Sequence, residues 1–498
     1  MKFNTLFKIM VFTSTLTMVA CEDFLNESPQ GNLTQEFFPS NENELMLATN
    51  ACYNTLRGWF YHSGGYPIMD IMSDDAYKGS NPTDQASNLN AFEDFTFTPG
   101  QDGLDRWWNA LYEGVKRCNV VIEKGPAVDL DENRKNSYLA QAHFLRGLYY
   151  FDLVRAWGGV PLVLDTNPAL TLGRSTEEEV YQVILSDLEF AAQHLPLRSA
   201  LTTAEYGRAT KGAAQALLAK VYLFRKDFVN AEKYALEVIN SNQYSLDPSF
   251  SHTFSIYGQY NEESVFEIGS VEFEGTENGG SQYANTQGVR GTPNRGWGFN
   301  RPSLDLMDHF EAGDPRKEAT IIFLGETIDG IKILGDGSTP DVTYSDPPAN
   351  TIVKEIECYT QKVWIPGIST SEQWGHNRRL IRYADVLLMA AEALNENNKT
   401  AQALNYLNAV RARAREGNNS ILPDVTTNAQ AELRDRILFE RRSEFAMEGH
   451  RFYDLVRTGR AAAVLGAYGF QTGKHEHFPI PQTEVDISQG AISQNPGW

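Results

Sequence analysis

Two stretches of the chain carry the pattern of a helical hairpin, and this pattern constrains the fold more than any other feature. In residues 209–240, apolar and small residues recur every three or four positions on both sides of a turn at residues 225–227. Residues 386–415 repeat this plan around a turn at residues 397–399. Small residues at the contact positions of paired helices are typical of tetratricopeptide-like hairpins of about 34 residues. The sequence therefore predicts a mainly α fold built on helical hairpins, with long irregular loops and a few short strands.

Two further stretches are predicted to be helical. Residues 133–157 are apolar on nearly all sides, which is typical of a buried helix, and two glycines and a proline mark its end. Residues 431–461 form an arginine-rich helical block. The sequence YFDLVR at residues 150–155 recurs as FYDLVR at 452–457, and each copy places an aspartate and an arginine on one helix face. We interpret these as structural ion pairs and expect a helical scaffold over residues 133–240 and 380–461.

Loop-rich segments separate the helical blocks. Residues 59–105 and 270–375 are rich in glycine, asparagine, aspartate, proline and aromatic residues, and the short runs 264–268 and 320–324 have β character. Long irregular segments are uncommon in compact domains and are often functional. Because no clear linker interrupts the chain, residues 21–498 are predicted to form a single domain, with the two loop-rich segments facing a ligand.

The N-terminus has the pattern of a secretory signal. Lys2 and Lys8 flank the start of an apolar run at residues 9–20, which is too short to span a bilayer. Residues 18–21 (MVAC) resemble a lipobox, so residues 1–20 are predicted to be a lipoprotein signal peptide and Cys21 the acylated first mature residue. Several acyl chains hold a protein on a membrane far better than one. The alternative is an ordinary secretory signal that leaves Cys21 unmodified.

The charge of the chain excludes nucleic acid as a partner. Removal of residues 1–20 takes away two lysines and leaves 41 basic against 64 acidic residues, a net charge of −23. Such a chain repels phosphate backbones, and no compact basic stripe with interleaved aromatic residues is present in the sequence. An acidic surface is compatible with neutral ligands.

No motif in the sequence points to catalysis or to a cofactor. Walker, GxSxG and HExxH patterns are absent, and Cys52, Cys118 and Cys358 allow one disulfide at most, so we interpret them as buried thiols. His475 and His477 could chelate a metal, but no third ligand has a suitable spacing, and a polar turn is favoured. Carboxylates are plentiful, yet their spacing neither places a glycosidase pair nor identifies a calcium site.

The loop-rich segments contain the best candidates for ligand binding. Sugar rings stack their C–H faces on aromatic side chains, and their hydroxyl groups need amide, carboxylate or guanidinium partners. Both kinds of residue occur together in the loops, whereas Trp107, Trp108 and Tyr112 fall in a helical pattern and are predicted to be core. The predicted ligand-binding residues are Asp75, Tyr77, Asn88, Arg290, Trp297, Asn300 and Trp374.

Several longer motifs resemble the SusD/RagB family of nutrient-binding outer-membrane lipoproteins. They follow one another in the order of that family and span nearly the whole mature chain. The matching segments are CEDFL at 21–25, FLRGLYYFDLVRAWGGVPLV at 144–163, GRATKGAA at 207–214, RYADVLLMAAEA at 382–393, NAVRARA at 408–414, ERRSEFA at 440–446, GHRFYDL at 449–455 and QNPGW at 494–498.

The resemblance implies a surface lipoprotein that acts as a lid over a SusC-like TonB-dependent transporter. Most members of the family bind glycans, so the chain is expected to capture oligosaccharides and to pass them to the transporter without cutting them. It would be held to outer-membrane lipid through Cys21 and face the cell exterior. The alternatives are peptide capture, as in the RagB branch, a glycoside hydrolase, and a subunit with no ligand of its own.

Overall fold

Nine long helices form the scaffold of the structure, a computed structural model that describes residues 38–61, 69–81, 83–169, 171–271, 280–337, 342–346, 351–367 and 375–498. The long helices are α1 (Glu42–Asn54), α2 (Asp102–Lys124), α3 (Glu132–Trp157), α4 (Glu177–His194), α5 (Lys211–Phe224), α6 (Phe228–Asn240), α7 (Tyr383–Glu396), α8 (Thr400–Ala414) and α9 (Gln430–Phe445). Each of α1 to α8 packs against the next along the chain, and α9 packs against α7 and α8. The helices therefore form one continuous stack.

Helix α3 is the buried helix that the sequence predicts. The side chain of Asp131 accepts hydrogen bonds from the backbone N–H groups of Asn133 and Arg134 and so caps its first turn. Gly158, with φ +71°, ends the helix after Trp157. Trp107 and Trp108 of α2 pack on the fully buried Trp157 ring, with centroid distances of 5.0 and 5.2 Å. Both are core residues as predicted, while Tyr112 is half-buried.

Both predicted hairpins are confirmed. Helices α5 and α6 meet at the predicted turn at 225–227, and α7 and α8 meet at 397–399. Small residues make close packing possible, because the alanines of α5 that face its neighbours are completely buried. The repeated hexapeptides form the two predicted ion pairs, Asp152 with Arg155 and Asp454 with Arg457.

The predicted arginine-rich block at 431–461 is a continuous helix only as far as Phe445. Met447 and Gly449 take positive φ values of +65° and +78°, and short helices follow at Arg451–Arg457 and Ala461–Leu465. This break directs the carboxylate of Glu448 into the interior, where it accepts hydrogen bonds from Arg382 and Lys362.

The described strands form five two-stranded antiparallel sheets. The pairs are β1 (Ala76–Gly79) with β3 (Phe299–Pro302), β2 (Ser264–Ile268) with β10 (Arg378–Arg382), β4 (Ile321–Phe323) with β9 (Cys358–Thr360), β5 (Thr327–Ile328) with β6 (Ile331–Lys332), and β7 (Val342–Asp346) with β8 (Thr351–Glu355). Strands β2 and β4 confirm the two β-like runs in the sequence. Pairing of β1 with β3, in the register Tyr77 to Arg301, joins the two loop-rich segments.

The cysteines and the polarity of the helices can be compared with the sequence predictions. Cys52, Cys118 and Cys358 are buried free thiols, as predicted. Across the ranges given above, each helix is either too short or too polar to cross a bilayer. Cys21 and the predicted signal peptide lie outside the described residues.

Candidate functional site

A cleft of about 660 Å³ opens between the two loop-rich segments, and we call it the tryptophan cleft. The first segment and the start of α2 contribute residues 59, 84–92 and 102–106 to the lining, and the second segment contributes residues 286–299. Pairing of β1 with β3 brings these distant segments together. A cleft of this size with aromatic walls and a few polar groups is typical of small-molecule binding sites.

The aromatic wall of the cleft is formed by Trp59 and Trp297. Both indoles are half-buried, with ring centroids 5.2 Å apart and planes inclined by 64°. The backbone N–H of Trp297 donates a 2.8 Å hydrogen bond to the carbonyl of Asn285. Gly296 permits this close approach, because a Cβ at that position would lie 2.4 Å from the same carbonyl oxygen. The sequence GWG at 296–298 therefore fixes the indole at the cleft with little freedom in its backbone.

The polar wall is centred on Arg290. Its Nη1 donates to Ser80 Oγ at 2.6 Å and to the carboxylate of Asp84, and its Nε pairs with Asp336 at 2.8 Å. The Arg290 guanidinium holds the pKa of Asp84 below its usual range. Within the described part of the chain, Nη2 of Arg290 has no hydrogen-bond partner and is available to a ligand.

Asn88 lies on the same side as Asp84. Its Nδ2 donates to Gln85 Oε1 at 2.8 Å, and its carbonyl accepts from Gln101 Nε2 at 2.9 Å. Gln85 adopts φ +49°, which is uncommon for a residue other than glycine. These hydrogen bonds hold two amide side chains beside the cleft, where each can both donate to and accept from sugar hydroxyl groups.

Three predicted site residues are buried and are not part of the lining of the cleft. Asn300 is fully buried and donates to Asp70 Oδ2 and Gln287 Oε1 at 2.8 and 3.0 Å. Asp75 is also fully buried; burial raises its pKa although Arg442 Nε donates to it at 2.7 Å. Tyr77, on β1, is 5% exposed and faces a small cavity away from the tryptophans. These three side chains hold the loop-rich segments in place and do not contact the space of the tryptophan cleft.

Trp374 lies outside the described residues, as does Tyr66. Of the predicted ligand-binding residues, the structure brings Asn88, Arg290 and Trp297 together at one cleft. Trp59 and Asn294, which also stand out in the loops, join them there. Tyr61 is instead in the core, where its hydroxyl donates to Asp152 at 3.0 Å.

The first turn of α2 also lines the cleft, and sequence reasoning missed it. Asp102 and Arg106 pair across one turn, and the Arg106 guanidinium lies 5.5 Å from the ring centroid of Phe60, which is 48% exposed. Residues 102, 103 and 106 share one helix face, whereas Trp107 and Trp108 face inward. Helical spacing in the sequence could therefore have distinguished the residues that line the cleft from those in the core. The sequence does not reveal that this face lies opposite Trp297.

The histidine pair at 475 and 477 belongs to a turn packed on the aromatic core. Burial lowers the pKa of His475 to about 4, and its ring lies 5.3 Å from that of Trp498. Its Nδ1 accepts from the backbone N–H of Gln471 at 2.8 Å. Among the described residues, no cluster of three His, Cys, Asp or Glu side chains is arranged to hold a metal.

Comparisons with known proteins agree on one family over nearly the whole chain. A family model described as "SusD family" matches residues 262–498, and one described as "Starch-binding associating with outer membrane" matches residues 23–223. SusD-like protein P2 of Formosa agariphila is 30% identical, with 99% of each chain covered.

Two solved structures are similar throughout the fold. A "Laminarin binding SusD-like protein" superposes with a TM-score of 0.76 at 30% identity and covers 92% of this chain and 100% of its own. Surface glycan-binding protein A of Bacteroides thetaiotaomicron, in complex with laminarihexaose, superposes with a TM-score of 0.73 at 26% identity and the same coverage.

Proposed function

Because the chain belongs to the SusD family, we propose that it is a cell-surface glycan-binding protein that captures oligosaccharides in the tryptophan cleft. The observation that carries this proposal is the pairing of a two-tryptophan wall with a wall of fixed amide and guanidinium groups. The indole faces stack on the C–H faces of sugar rings, and the opposite wall hydrogen-bonds to hydroxyl groups. Since both walls are held by internal hydrogen bonds, little conformational entropy is lost on binding.

A neutral glycan suits the charges of the cleft. Each guanidinium on its walls has a carboxylate partner, Arg290 with Asp84 and Arg106 with Asp102. An anionic sugar would have to compete with these carboxylates and with the net negative charge of the whole chain. Since two similar structures are named for laminarin or its hexaose, laminarin is the first ligand that we propose to test.

We propose that the bound glycan is released intact. Hydrolysis of a glycosidic bond needs a protonated carboxylic acid beside the scissile oxygen. Asp84 is unsuited to this role, because Arg290 lowers its pKa and keeps it ionised. Its Oδ2 also accepts hydrogen bonds from Arg290 and Ser80, so this carboxylate supports the polar wall.

Delivery to a transporter completes the proposal. The family description places these proteins in association with the outer membrane. Acylation of Cys21 would anchor the chain there, facing the exterior, and a SusC-like TonB-dependent transporter would receive the glycan.

Mass spectrometry of the mature N-terminus tests the anchor, since an unmodified Cys21 or a different first residue contradicts it. Co-purification of the transporter with the tagged protein tests the partnership.

A binding panel tests the function itself. Purified protein is titrated with laminarin, with other neutral and anionic polysaccharides, and with a set of peptides, and each mixture is then analysed for new reducing ends. We expect saturable binding of a neutral polysaccharide that stays intact. Binding of peptides alone would establish the RagB-like alternative, and new reducing ends would establish a hydrolase.

A further inference from the structure

A second groove of about 280 Å³ lies on the other side of the turn that carries Trp59. Helix α1 and residues 204–208 form its sides, and Tyr260 and the end of β2 form its floor. Arg57 lines this groove and Trp59 lines the tryptophan cleft. The Cα atoms of these two residues are at most about 7 Å apart, so both sites adjoin the same turn of the chain. The backbone N–H of Gly58 donates to the carbonyl of Thr55 at 3.0 Å and tightens this turn.

Amide and guanidinium groups form a row along the second groove. Asn50 and Asn54 are four residues apart on α1 and so lie on one face, about 6 Å apart. Asn50 Oδ1 accepts from Arg208 at 2.9 Å, and Asn54 Oδ1 accepts from Arg57 at 2.9 Å. Each pair offers donors and an acceptor side by side, which suits adjacent hydroxyl groups of successive sugars.

Two tyrosines also line the groove, Tyr206 at one side and Tyr260 at the floor. Tyr206 is 39% exposed, and its ring centroid lies 6.0 Å from that of Tyr260. Tyr260 adopts φ +56°, and its backbone is held there by a bond from its N–H to Glu267 Oε2 at 3.1 Å and one from Arg198 to its carbonyl at 2.8 Å. Such strained conformations of non-glycine residues cluster at binding sites.

The ring of Tyr260 also depends on a glycine. A Cβ at Gly269 would lie 2.1 Å from the Tyr260 hydroxyl oxygen, so a side chain at position 269 would push the ring aside. Burial raises the pKa of Tyr260 to about 12, so its hydroxyl group is neutral. Hydroxyl, amide, guanidinium and aromatic groups are those that recognise sugars.

We propose that the second groove is an additional carbohydrate subsite, in which the same glycan chain that fills the tryptophan cleft continues past the turn at Arg57, Gly58 and Trp59. This inference rests on the proposed function of the tryptophan cleft. The two sites act together, because a chain bound in the first holds its next sugars at high local concentration over the second. A long polysaccharide therefore binds more tightly than a short fragment, and the excess affinity depends on Tyr206.

Titration of laminarin and of its three-sugar fragment into Tyr206→Ala tests the subsite. We expect at least a fivefold loss of affinity for laminarin and less than a twofold loss for the trisaccharide, which fits within one site. Tyr257→Ala is the matched control, since this tyrosine is 75% exposed and lines neither site. Trp297→Ala should weaken both ligands and so reports on the first cleft separately.

Three outcomes would overturn the subsite. In the first, Tyr206→Ala binds laminarin with unchanged affinity while Trp297→Ala still lowers the affinity for both ligands. The second groove then takes no part in binding, and the proposed function stands. Equal losses for the polymer and the trisaccharide would mean that Tyr206 acts through the first cleft. Failure of the unaltered protein to bind laminarin would overturn the inference, whereas the proposed function stands if another glycan binds and stays intact.

Discussion

Trp297 is the residue on which glycan affinity is expected to depend most. Its indole is half-buried against Trp59 and its backbone is fixed by Asn285, so its removal takes a stacking surface from the cleft and leaves the fold intact. We expect Trp297→Ala to weaken binding by about 1–3 kcal/mol, the range for aromatic stacking on nucleobases, which corresponds to a roughly 5- to 150-fold higher Kd. Calorimetric titration measures the Kd, and a thermal melt serves as the control. A large fall in Tm with unchanged affinity would make Trp297 a core residue.

Arg290 is the residue that organises the polar wall. Arg290→Met keeps most of the apolar stem but leaves Asp84 and Asp336 facing one another without their shared cation. We expect binding to weaken about tenfold, because a charged hydrogen bond to the ligand is lost, on the order of 1.5 kcal/mol. Arg460→Met is a suitable comparison, since Arg460 forms an exposed pair with Asp435 outside both sites. Equal affinities for the two variants would exclude Arg290 from ligand binding.

At the scale of elements, a buried ion network joins α9 to β10, to α8 and, through Glu263, to the start of β2. Glu444 of α9 lies at its centre, with Arg382 Nη1 at 2.9 Å, Arg316 Nη1 at 3.2 Å and Arg413 also in contact, all nearly inaccessible to solvent. Burial raises the pKa of Glu444, but these three guanidinium groups outweigh it and hold the pKa well below its usual range. The network fixes the orientation of α9 relative to the two strands.

Glu444→Gln is expected to destabilise the fold strongly. It keeps the shape of the side chain but leaves buried arginines without their counter-charge, which costs about 3–5 kcal/mol. The matched control is Asp435→Asn on the same helix, because its pair with Arg460 is exposed and contributes at most about 1 kcal/mol. Urea unfolding of both variants measures the free energies. A similar small loss for the two would show that the network does not stabilise the fold.

At the scale of the whole molecule, stability should fall as the pH drops below about 6.5, the ordinary pKa of histidine. Burial lowers the pKa values of His309, His376 and His450 to about 3, so the folded chain keeps them neutral while the unfolded chain binds protons. Since the unfolded state binds more protons, it is favoured as the pH falls from 6.5 towards 3. Carboxylates with lowered pKa values, such as Asp454, add to this loss below about pH 4.

Thermal melts between pH 7.5 and 4.5 measure this dependence. We expect Tm to fall steadily below pH 6.5, and less steeply in His376→Gln, which removes one of the buried imidazoles. His194→Gln, at a partly exposed position near the end of α4, is the control. A Tm that stays constant down to pH 5 would contradict the expectation.

We also propose that residues 21–498 form a single domain, for which these melts should show one cooperative transition.

The sequence alone determined the helical scaffold. The periodicity in residues 209–240 and 386–415 is local, and so are the turn residues between the paired helices; both hairpins therefore formed where the pattern placed them. The apolar pattern of 133–157 likewise predicted α3. The break after Phe445 was missed: Met447 and Gly449 take positive φ values there, and Glu448 pairs with Arg382, which is 66 residues away.

Only the tertiary structure decided which loop residues line the tryptophan cleft. Asn88, Arg290 and Trp297 line it, whereas Asp75, Tyr77 and Asn300, of similar chemistry and in the same segments, are buried elsewhere. Arg106 lines the cleft although it belongs to a helix that the sequence assigns to the core. The physical reason is that residue type sets which contacts a side chain can make, while its exposure depends on distant segments packing against it. Pairing of β1 with β3 across more than 200 residues is one such event, and no local pattern encodes it.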